Sequence, residues 1–314
     1  MTVNPPGADG RSIISSVLDG WQRFWFEEIP PHSYALLRIL LGLLGCASLI
    51  GLRNLSAFWA LDGFVAAQDR GLGLKAWLFG HGLGNIGGRA LFFGCLASFA
   101  SMTVGFRSGL SVALALTSSL LQVSWNYLPL SGAHSALQAM LFCLIWADTG
   151  SVWSVDAWLA RRRLLTALTT EPPRYMIAPL RLVRFQVALV YLNSGLYKLY
   201  NQHWRDGSAV HYILNNNVYR RFPHDLPLQL EWLGTIATYT TLSWELGFAF
   251  LVLFGPTRRL ALWAGILLHL GMWVGIEIGP FPWVMLAGYT AFLDPSSVRV
   301  LPRRVLQPLR RWAS

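Results

Sequence analysis

The amino-acid sequence predicts an all-α integral membrane protein, a bundle of about eight transmembrane helices preceded by an N-terminal interfacial helix. The chain of 314 residues is 54% apolar and only 13% charged, which is about half the charged fraction of a typical soluble domain. Apolar runs recur along the chain and are separated by short polar segments. Because so much apolar side chain needs an apolar partner, we expect lipid to cover the surface of the bundle.

Eight apolar runs are predicted to be the membrane-spanning helices, since a bilayer core needs about 20 apolar residues per helix. They cover residues 33–52, 88–105, 108–127, 132–147, 179–200, 232–254, 259–277 and 281–295. The fourth and eighth runs are the shortest. For these two helices we expect longer bounds, a small tilt or a re-entrant path.

The basic residues between these runs predict the orientation, because cytoplasmic segments of membrane proteins carry the excess of positive charge. With a cytoplasmic N-terminus, sixteen basic residues fall in inner segments and seven in outer segments. We therefore expect both termini in the cytoplasm. This distribution also accounts for the net charge of +10, and without a nucleic-acid-binding motif no nucleic-acid partner is expected.

The segments outside the runs divide the chain into three predicted parts. Residues 1–30 form a cytoplasmic N-terminal segment, residues 31–296 the transmembrane domain, and residues 297–314 a basic cytoplasmic tail. Five apolar side chains of the first part lie close to one helical face: Ile14, Val17, Trp21, Phe24 and Trp25. This pattern predicts an amphipathic helix on the inner leaflet. The first residues lack the apolar stretch of a cleavable signal peptide.

Ionisable side chains inside apolar runs are costly in lipid and are therefore candidates for function. Six of them are the candidates: Arg38, His134, Lys198, Glu245, His269 and Glu277. The predicted topology brings His134, Lys198 and Glu277 to the outer ends of their helices and leaves His269 at mid-depth. Trp125 and Asn126 close the third run on the same outer side.

Each of these residues also has a structural interpretation. Lys198 and Arg38 lie where a long side chain can snorkel to the headgroups, and Arg38 is equally suited to packing helices together. His134 lies in a turn and is suited to capping a helix. Glu277 fits an interfacial carboxylate. The deeper Glu245 and His269 fit hydrogen bonds between helices.

The histidines and cysteines predict no metal site. No HxxxH or HExxH spacing places two ligands on one helical face. The three cysteines lie in three different apolar runs, which is typical of small buried side chains. The sequence also lacks a phosphate-binding glycine loop and a hydrolase nucleophile motif.

Four stretches in order resemble the HTTM family, the membrane domain shared with vitamin K-dependent gamma-glutamyl carboxylase. The segment RFQVALVYLNSGLYKLYNQHWRDGSAVHYIL (184–214) resembles the central family signature. The three others cover residues 31–44, 134–158 and 267–295. The first of these includes an Arg in the first run, and the second includes a His-Ser turn and a W-S-V-D motif. The resemblance extends over about residues 15–300. It implies an all-helical membrane domain whose reactive pocket opens on the extracytoplasmic side.

The resemblance also implies roles for individual residues. In the carboxylase, the lysine of a G-x-x-K-L motif is implicated as the base that deprotonates vitamin K hydroquinone, and Lys198 holds that position here. His134 matches the histidine that supports the reactive lysine, and His269 and Glu277 match a histidine and a glutamate of the seventh-span region. A lysine base needs a neutral amine, which burial favours.

The pocket and its cofactors follow from the same resemblance. Glu245, Trp125, Asn126 and Trp204 are predicted to support or line the pocket. The implied cofactors are a reduced quinone of the vitamin K type, together with O2 and CO2.

The sequence departs from the family pattern at three motif positions. Ala133 stands where the family has an Asn before the histidine, and Tyr197 stands where it has a Lys before the motif lysine. The acidic residue that follows the motif in the family is replaced in the stretch 200–203. The large lumenal domain of the carboxylase is not found, so processive carboxylation of a protein is not expected.

Two functions therefore stay open. The first is a carboxylase-like enzyme that uses Lys198, supported by His134, on a lipid quinol or a peptide at the extracytoplasmic face. The second is a non-catalytic maturation or export factor for a secreted peptide, since bacterial family members include a membrane factor needed to mature a secreted peptide toxin. The expected partners are membrane lipids and a secreted peptide or protein.

Overall fold

The computed structural model describes residues 13–59, 77, 81–126, 131–163, 173–222 and 230–300, and this part of the chain is almost entirely helical. In chain order the helices are α1 (Ile13–Phe26), α2 (His32–Gly51), α3 (Leu55–Trp59), α4 (Gly84–Val104), α5 (Ser108–Trp125), α6 (Gly132–Leu144), α7 (Val155–Arg163), α8 (Ala178–Leu199), α9 (Gln202–Arg205), α10 (Ala209–Asn215), α11 (Glu231–Leu251), α12 (Gly255–Gly275) and α13 (Phe281–Tyr289). A 3₁₀ helix, Thr290–Phe292, follows α13. The prediction of an all-α fold is confirmed.

Eight of these helices correspond to the eight predicted runs: α2, α4, α5, α6, α8, α11, α12 and α13. Their ends agree with the predicted ends to within a few residues, because Gly, Pro and polar residues interrupt the apolar pattern there. The helices of the fourth and eighth runs, α6 and α13, are short, with 13 and 9 residues. The segment predicted to be an interfacial helix is helical, as α1.

A two-stranded antiparallel sheet joins the beginnings of two long helices. Strand β1 (Glu28–Ile29) pairs with β2 (Tyr175–Met176), so that Glu28 faces Met176. The Tyr34 hydroxyl donates to the Met176 carbonyl over 2.5 Å. These bonds hold the start of α2 beside the start of α8. We call the end of the bundle where α2 begins the proximal end, and the end where α2 finishes the distal end.

The pair α2 and α4 shows how closely the helices pack. A Cβ atom on Gly42 would lie 2.4 Å from Oγ1 of Thr103, and one on Gly45 would lie 2.2 Å from the Phe99 ring. Such contact between backbone and side chain needs glycine at both positions, as is common where helices associate in lipid. The buried core continues across α5, α6, α8 and α13.

The outer surface of the bundle is apolar as well. Large apolar side chains are exposed along four different helices: Ile86, Phe93, Phe185, Leu189, Phe250, Trp263 and Leu267. Apolar exposure on this scale is unusual for a monomeric soluble protein. By length and composition, two of the described helices, α2 and α4, are able to cross a membrane.

A buried arginine ties three chain segments together at the proximal end. Arg38 is fully buried in α2. Its Nη1 donates to the carbonyls of Met102 (2.8 Å) and Thr103 (3.1 Å), and its Nη2 donates to that of Trp153 (2.6 Å). Gly105 ends α4 with φ of 72°, and a Cβ there would lie 2.1 Å from Nη1. Of the two structural interpretations of Arg38, the structure shows packing between segments rather than snorkelling.

The carboxylate of Asp156 caps α5 from the neighbouring helix α7. Its Oδ1 accepts the Arg107 backbone N–H (2.8 Å), and its Oδ2 accepts the backbone N–H and hydroxyl of Ser108 (2.7 and 2.8 Å). Burial alone raises the pKa of Asp156, but these hydrogen bonds and the charge of Arg38 outweigh it and hold the pKa below its usual range. The W-S-V-D motif thus joins α7 to the start of α5.

The Asp156→Asn variant should be less stable at neutral pH by about 1 kcal/mol, because an amide is a weaker acceptor for the N–H groups of the helix start. Since the pKa of Asp156 is lowered in the folded protein, its contribution is complete above about pH 4 and is lost as the pH falls through the lowered pKa. Thermal unfolding in detergent across this range measures the difference. Glu231→Gln, at an exposed residue of α11, is the matched control; equal acid sensitivity of wild type and Asp156→Asn would contradict the assignment.

Candidate functional site

The candidate site is an ion pair between α8 and α11. The Lys198 ammonium, in the last turn of α8, donates to Oε1 of Glu245 in α11. The Lys198 side chain is 19% exposed and the Glu245 side chain 6% exposed. A charged pair this sheltered is rare in an apolar bundle and marks a candidate for function.

Gly195 explains why the two charges can meet. It lies one turn before Lys198, on the same face of α8. A Cβ on Gly195 would lie 3.0 Å from Cδ2 and 3.1 Å from the backbone nitrogen of Leu246. In the G-x-x-K spacing, the glycine therefore allows the two helices to cross closely. The lysine one turn later then lies beside Glu245, which directly precedes Leu246.

Trp204 covers the lysine from the distal side. The chain turns directly after α8, where the Asn201 side chain accepts the His203 backbone N–H (2.9 Å) and begins the short helix α9. This turn places the Trp204 ring over Lys198, with Nζ 4.5 Å from the ring centroid. A cation over an indole face is attracted electrostatically. The predicted support residues Glu245 and Trp204 thus both contact Lys198.

Two polar atoms next to the ion pair lack partners. Within the described part of the chain, Oε2 of Glu245 and Nε1 of Trp244 are buried without a hydrogen bond. A buried polar group left unpaired costs about 1–3 kcal/mol. Oε2 is suited to accept from a ligand hydroxyl, and Nε1 is suited to donate to a ligand hydroxyl or carbonyl.

A second polar cluster lies next to this pair and joins three helices. The Tyr191 hydroxyl of α8 is hydrogen-bonded to Nε2 of His269 in α12 and to the Tyr289 hydroxyl of α13, both at 2.5 Å. All three side chains are buried. Gly265 makes room for this cluster, since a Cβ there would lie 2.0 Å from the Tyr289 oxygen. His269 therefore makes the hydrogen bond between helices that its depth predicts.

Tyr191 also approaches the ion pair. Its ring centroid lies 6.5 Å from that of Trp244, the residue before Glu245, and Glu245 acts on it electrostatically. Neither Tyr191 nor Tyr289 was predicted from the sequence. The available signal was spacing, because Tyr191, Gly195 and Lys198 are separated by four and three residues and lie on one face of α8.

His134 lies in a different part of the bundle. Its Nδ1 is 3.1 Å from the Ser131 hydroxyl, and its Nε2 is buried without a partner among the described residues. The ring lines a cavity of about 10 Å³ beside Ser119, Gln122 and Gln138, a volume suited to one water. Within the described chain, no hydrogen bond joins His134 to Lys198, so the predicted pairing of the two is not made in this structure.

The other predicted site residues fasten segments at the distal end. Glu277 binds Arg221 through an exposed ion pair of 2.6 Å, and its backbone N–H donates to the Tyr219 carbonyl. Trp125 donates to the Trp59 carbonyl (3.2 Å), and Asn126 donates to the Phe58 carbonyl (2.9 Å). These contacts hold α3 and the segment after α10 against the bundle. Among the described residues, no group of His, Cys, Asp and Glu side chains is arranged to bind a metal.

The fold and this site define a class: an all-helical protein with an apolar exterior, helices able to cross a membrane, and a sheltered lysine–glutamate pair between two helices. The chain belongs to the HTTM domain family, whose family model matches residues 26–296. It is also similar to sporulation-delaying protein SdpB of Bacillus subtilis (strain 168), with 28% identity over 119 residues. That match covers 36% of this chain and 37% of the relative. No solved structure matches the chain.

The Lys198→Met variant should be strongly destabilised, by about 3–5 kcal/mol, because it leaves the buried carboxylate of Glu245 without its counter-charge. The double variant Lys198→Met/Glu245→Leu should recover most of that loss, since it removes both charges. Thermal and denaturant unfolding followed by tryptophan fluorescence measures both.

The matched control is the exposed pair at the distal end. Arg221→Gln should cost less than about 1 kcal/mol, because exposed ion pairs contribute little. Equal losses in Lys198→Met and Arg221→Gln, or no recovery in the double variant, would show that Lys198 and Glu245 are not coupled.

Proposed function

We propose that this HTTM-family protein is a multi-pass membrane protein with eight spans and cytoplasmic termini, and that it transfers protons at its extracytoplasmic side through Lys198. The proximal end is then cytoplasmic. Support comes from the eight helices at the predicted runs, from the apolar exterior and from the bias of basic residues. The substrate is a lipid quinol or a peptide, as the likeness to the carboxylase membrane domain implies.

One observation carries the proposal, the sheltered contact of Lys198 with Glu245 under Trp204. A lysine base must first lose its proton, and Glu245 is placed to take it. Transfer from Nζ to Oε1 turns two buried charges into a neutral amine and a neutral acid.

The protein's part in the reaction then has two steps. Glu245 takes the ammonium proton, and the neutral Nζ of Lys198 accepts a proton from the O–H or C–H group of the substrate. Trp204 excludes water from the amine during both steps. Glu245 acts electrostatically on Tyr191, which is hydrogen-bonded to His269, and we assign these two residues to the path by which the proton leaves the carboxyl group.

The residues around Lys198 fit a quinol. The unpaired Oε2 of Glu245 and Nε1 of Trp244 suit its hydroxyl groups, and the aromatic side chains of Trp244, Trp204 and Tyr191 suit its ring. When bound, a reduced quinone with O2 and CO2 supplies the redox and carboxylation chemistry. The positions of His134 and Glu277 give them no direct part in this proton transfer.

The Lys198→Arg variant tests the chemistry apart from the fold. Arginine keeps the positive charge beside Glu245 but does not lose its proton at accessible pH. In purified protein supplied with reduced vitamin K, bicarbonate and oxygen, wild type should oxidise the quinol, and Lys198→Arg should lose at least about a hundredfold in rate. Quinol oxidation is followed by absorbance, and folding is checked by thermal unfolding.

Two controls complete this test. Arg221→Gln, at the exposed distal pair, should keep wild-type turnover. Glu245→Gln should lose turnover as Lys198→Arg does, because its amide cannot accept the lysine proton. Wild-type turnover in a folded Lys198→Arg protein would reject the lysine as the base.

A second function, maturation or export of a secreted peptide, is favoured by the surface next to α10. Tyr212, Val218, Tyr219 and Phe222 are exposed there. Exposed aromatic side chains are common in peptide-binding surfaces. The similarity to sporulation-delaying protein SdpB points to the same class of function.

The Tyr212→Ser/Val218→Ser variant tests this second function. In cells that secrete a dependent peptide, the variant should reduce secretion of the mature peptide at least about tenfold, because it removes apolar contacts, while Lys198→Arg should leave secretion unchanged. Mass spectrometry of the medium measures the peptide. Secretion lost in Lys198→Arg but kept in the surface variant would instead favour the catalytic function.

A further inference from the structure

A second cavity lies at the proximal end, away from the candidate site. It has a volume of about 350 Å³, which falls in the range of small-ligand sites. Its walls come from the segment before α2, the starts of α8 and α12, and the segment after the 3₁₀ helix. Two long helices and two connecting segments therefore contribute to one opening.

Four arginines line this cavity: Arg174, Arg181, Arg184 and Arg258. Two of them are held in place by the backbone. Nε of Arg184 donates to the Ala291 carbonyl (2.7 Å), and Nε of Arg258 donates to the Val252 carbonyl (3.0 Å). A guanidinium fixed through Nε still carries donors on its other two nitrogens, in the fork geometry that phosphate oxygens accept.

Three acidic residues, Glu27, Glu28 and Asp294, line the cavity beside the four arginines and leave one positive charge in excess. Glu27 is paired with Arg181 at 3.2 Å, and Oδ2 of Asp294 accepts the Ser297 backbone N–H at 3.0 Å. The strongest charged neighbours of Arg184 are Arg258 and Arg181, which repel it. In addition, Nε of Arg181 is buried without a partner among the described residues. An anion in the cavity would relieve both conditions.

The surroundings of the cavity favour a lipid over a small soluble anion. Phe24 of α1 lies against Arg181, with the guanidinium carbon 4.0 Å from the ring centroid. Beyond it, α1 exposes Ile14, Val17 and Trp21. The basic cavity is thus continuous with an apolar helix face of the kind that lies in the headgroup layer.

We propose that this cavity binds the phosphate of an anionic phospholipid of the inner leaflet, with Arg184, Arg258 and Arg174 contacting the phosphate and the acyl chains lying along α1. The chemistry is that of a phosphate group, for which the sources are a lipid headgroup or free phosphate, and the position of α1 favours the headgroup. The proposal rests on the bilayer orientation proposed above. It is independent of any chemistry at Lys198.

The test is lipid binding by the purified full-length chain in detergent. Phosphatidylglycerol should bind, as seen by native mass spectrometry and by a raised melting temperature, and phosphatidylcholine with the same acyl chains should bind much more weakly. Arg258→Gln and Arg174→Gln should each lower the affinity for phosphatidylglycerol about fivefold, since a basic side chain near an anionic lipid contributes roughly 1 kcal/mol. Glu27→Gln should raise it.

The matched control is Arg259→Gln, because Arg259 follows Arg258 in α12 and is exposed outside the cavity lining. It should keep wild-type affinity. Arg174 is itself exposed, so Arg174→Gln carries the test even if Arg258→Gln fails to fold. Equal affinity for both lipids, or equal losses in Arg259→Gln and Arg174→Gln, would overturn the proposal. Protection by inorganic phosphate as strong as by phosphatidylglycerol would show a site for a free anion instead.

Discussion

The structure depends on one constraint, that a polar group inside an apolar bundle must find its partners within the chain. Arg38 meets most of the constraint through three backbone carbonyls, which fix the order of α2, α4 and the segment before α7, while its Nε stays buried without a partner among the described residues. Glu245 meets it only in part, since Lys198 satisfies one carboxylate oxygen and leaves the other unpaired among the described residues. The first arrangement explains stability, and the second indicates a place for a ligand.

Much of the fold could be predicted from the sequence because helix length and apolar pattern are local properties. The runs at 33–52 and 108–127 became α2 and α5 with ends shifted by two residues or fewer, since glycine and polar residues mark those ends. The amphipathic face of α1 was also readable from spacing alone. The small sheet that joins β1 to β2 was not, because its two-residue strands lie 147 positions apart and carry no periodic signal.

The site was predicted less completely, since sequence fixes where a residue lies along a helix but not which neighbour that helix faces. Lys198 and His134 were placed at the same end of the bundle, yet Lys198 faces α11 while His134 faces a cavity shared with α5. Glu245 and Trp204 were expected to support or line the pocket, but their direct contact with Lys198 depends on the crossing of α8 and α11 and on the turn after α8. That crossing is set by Gly195 and Leu246, whose proximity no local pattern reveals.

The tight crossing at Gly195 has a consequence for access. Where backbone and side chain touch, two helices have little freedom to slide, so entry from the side requires them to separate as rigid bodies. Such a separation would pull the ammonium away from the carboxylate at the same moment that it opened the gap. The attraction between Lys198 and Glu245 would therefore oppose the opening. An arriving molecule that can replace either side chain in this contact would favour the opening. In this way Gly195 would couple the entry of a substrate to the release of Lys198 from Glu245.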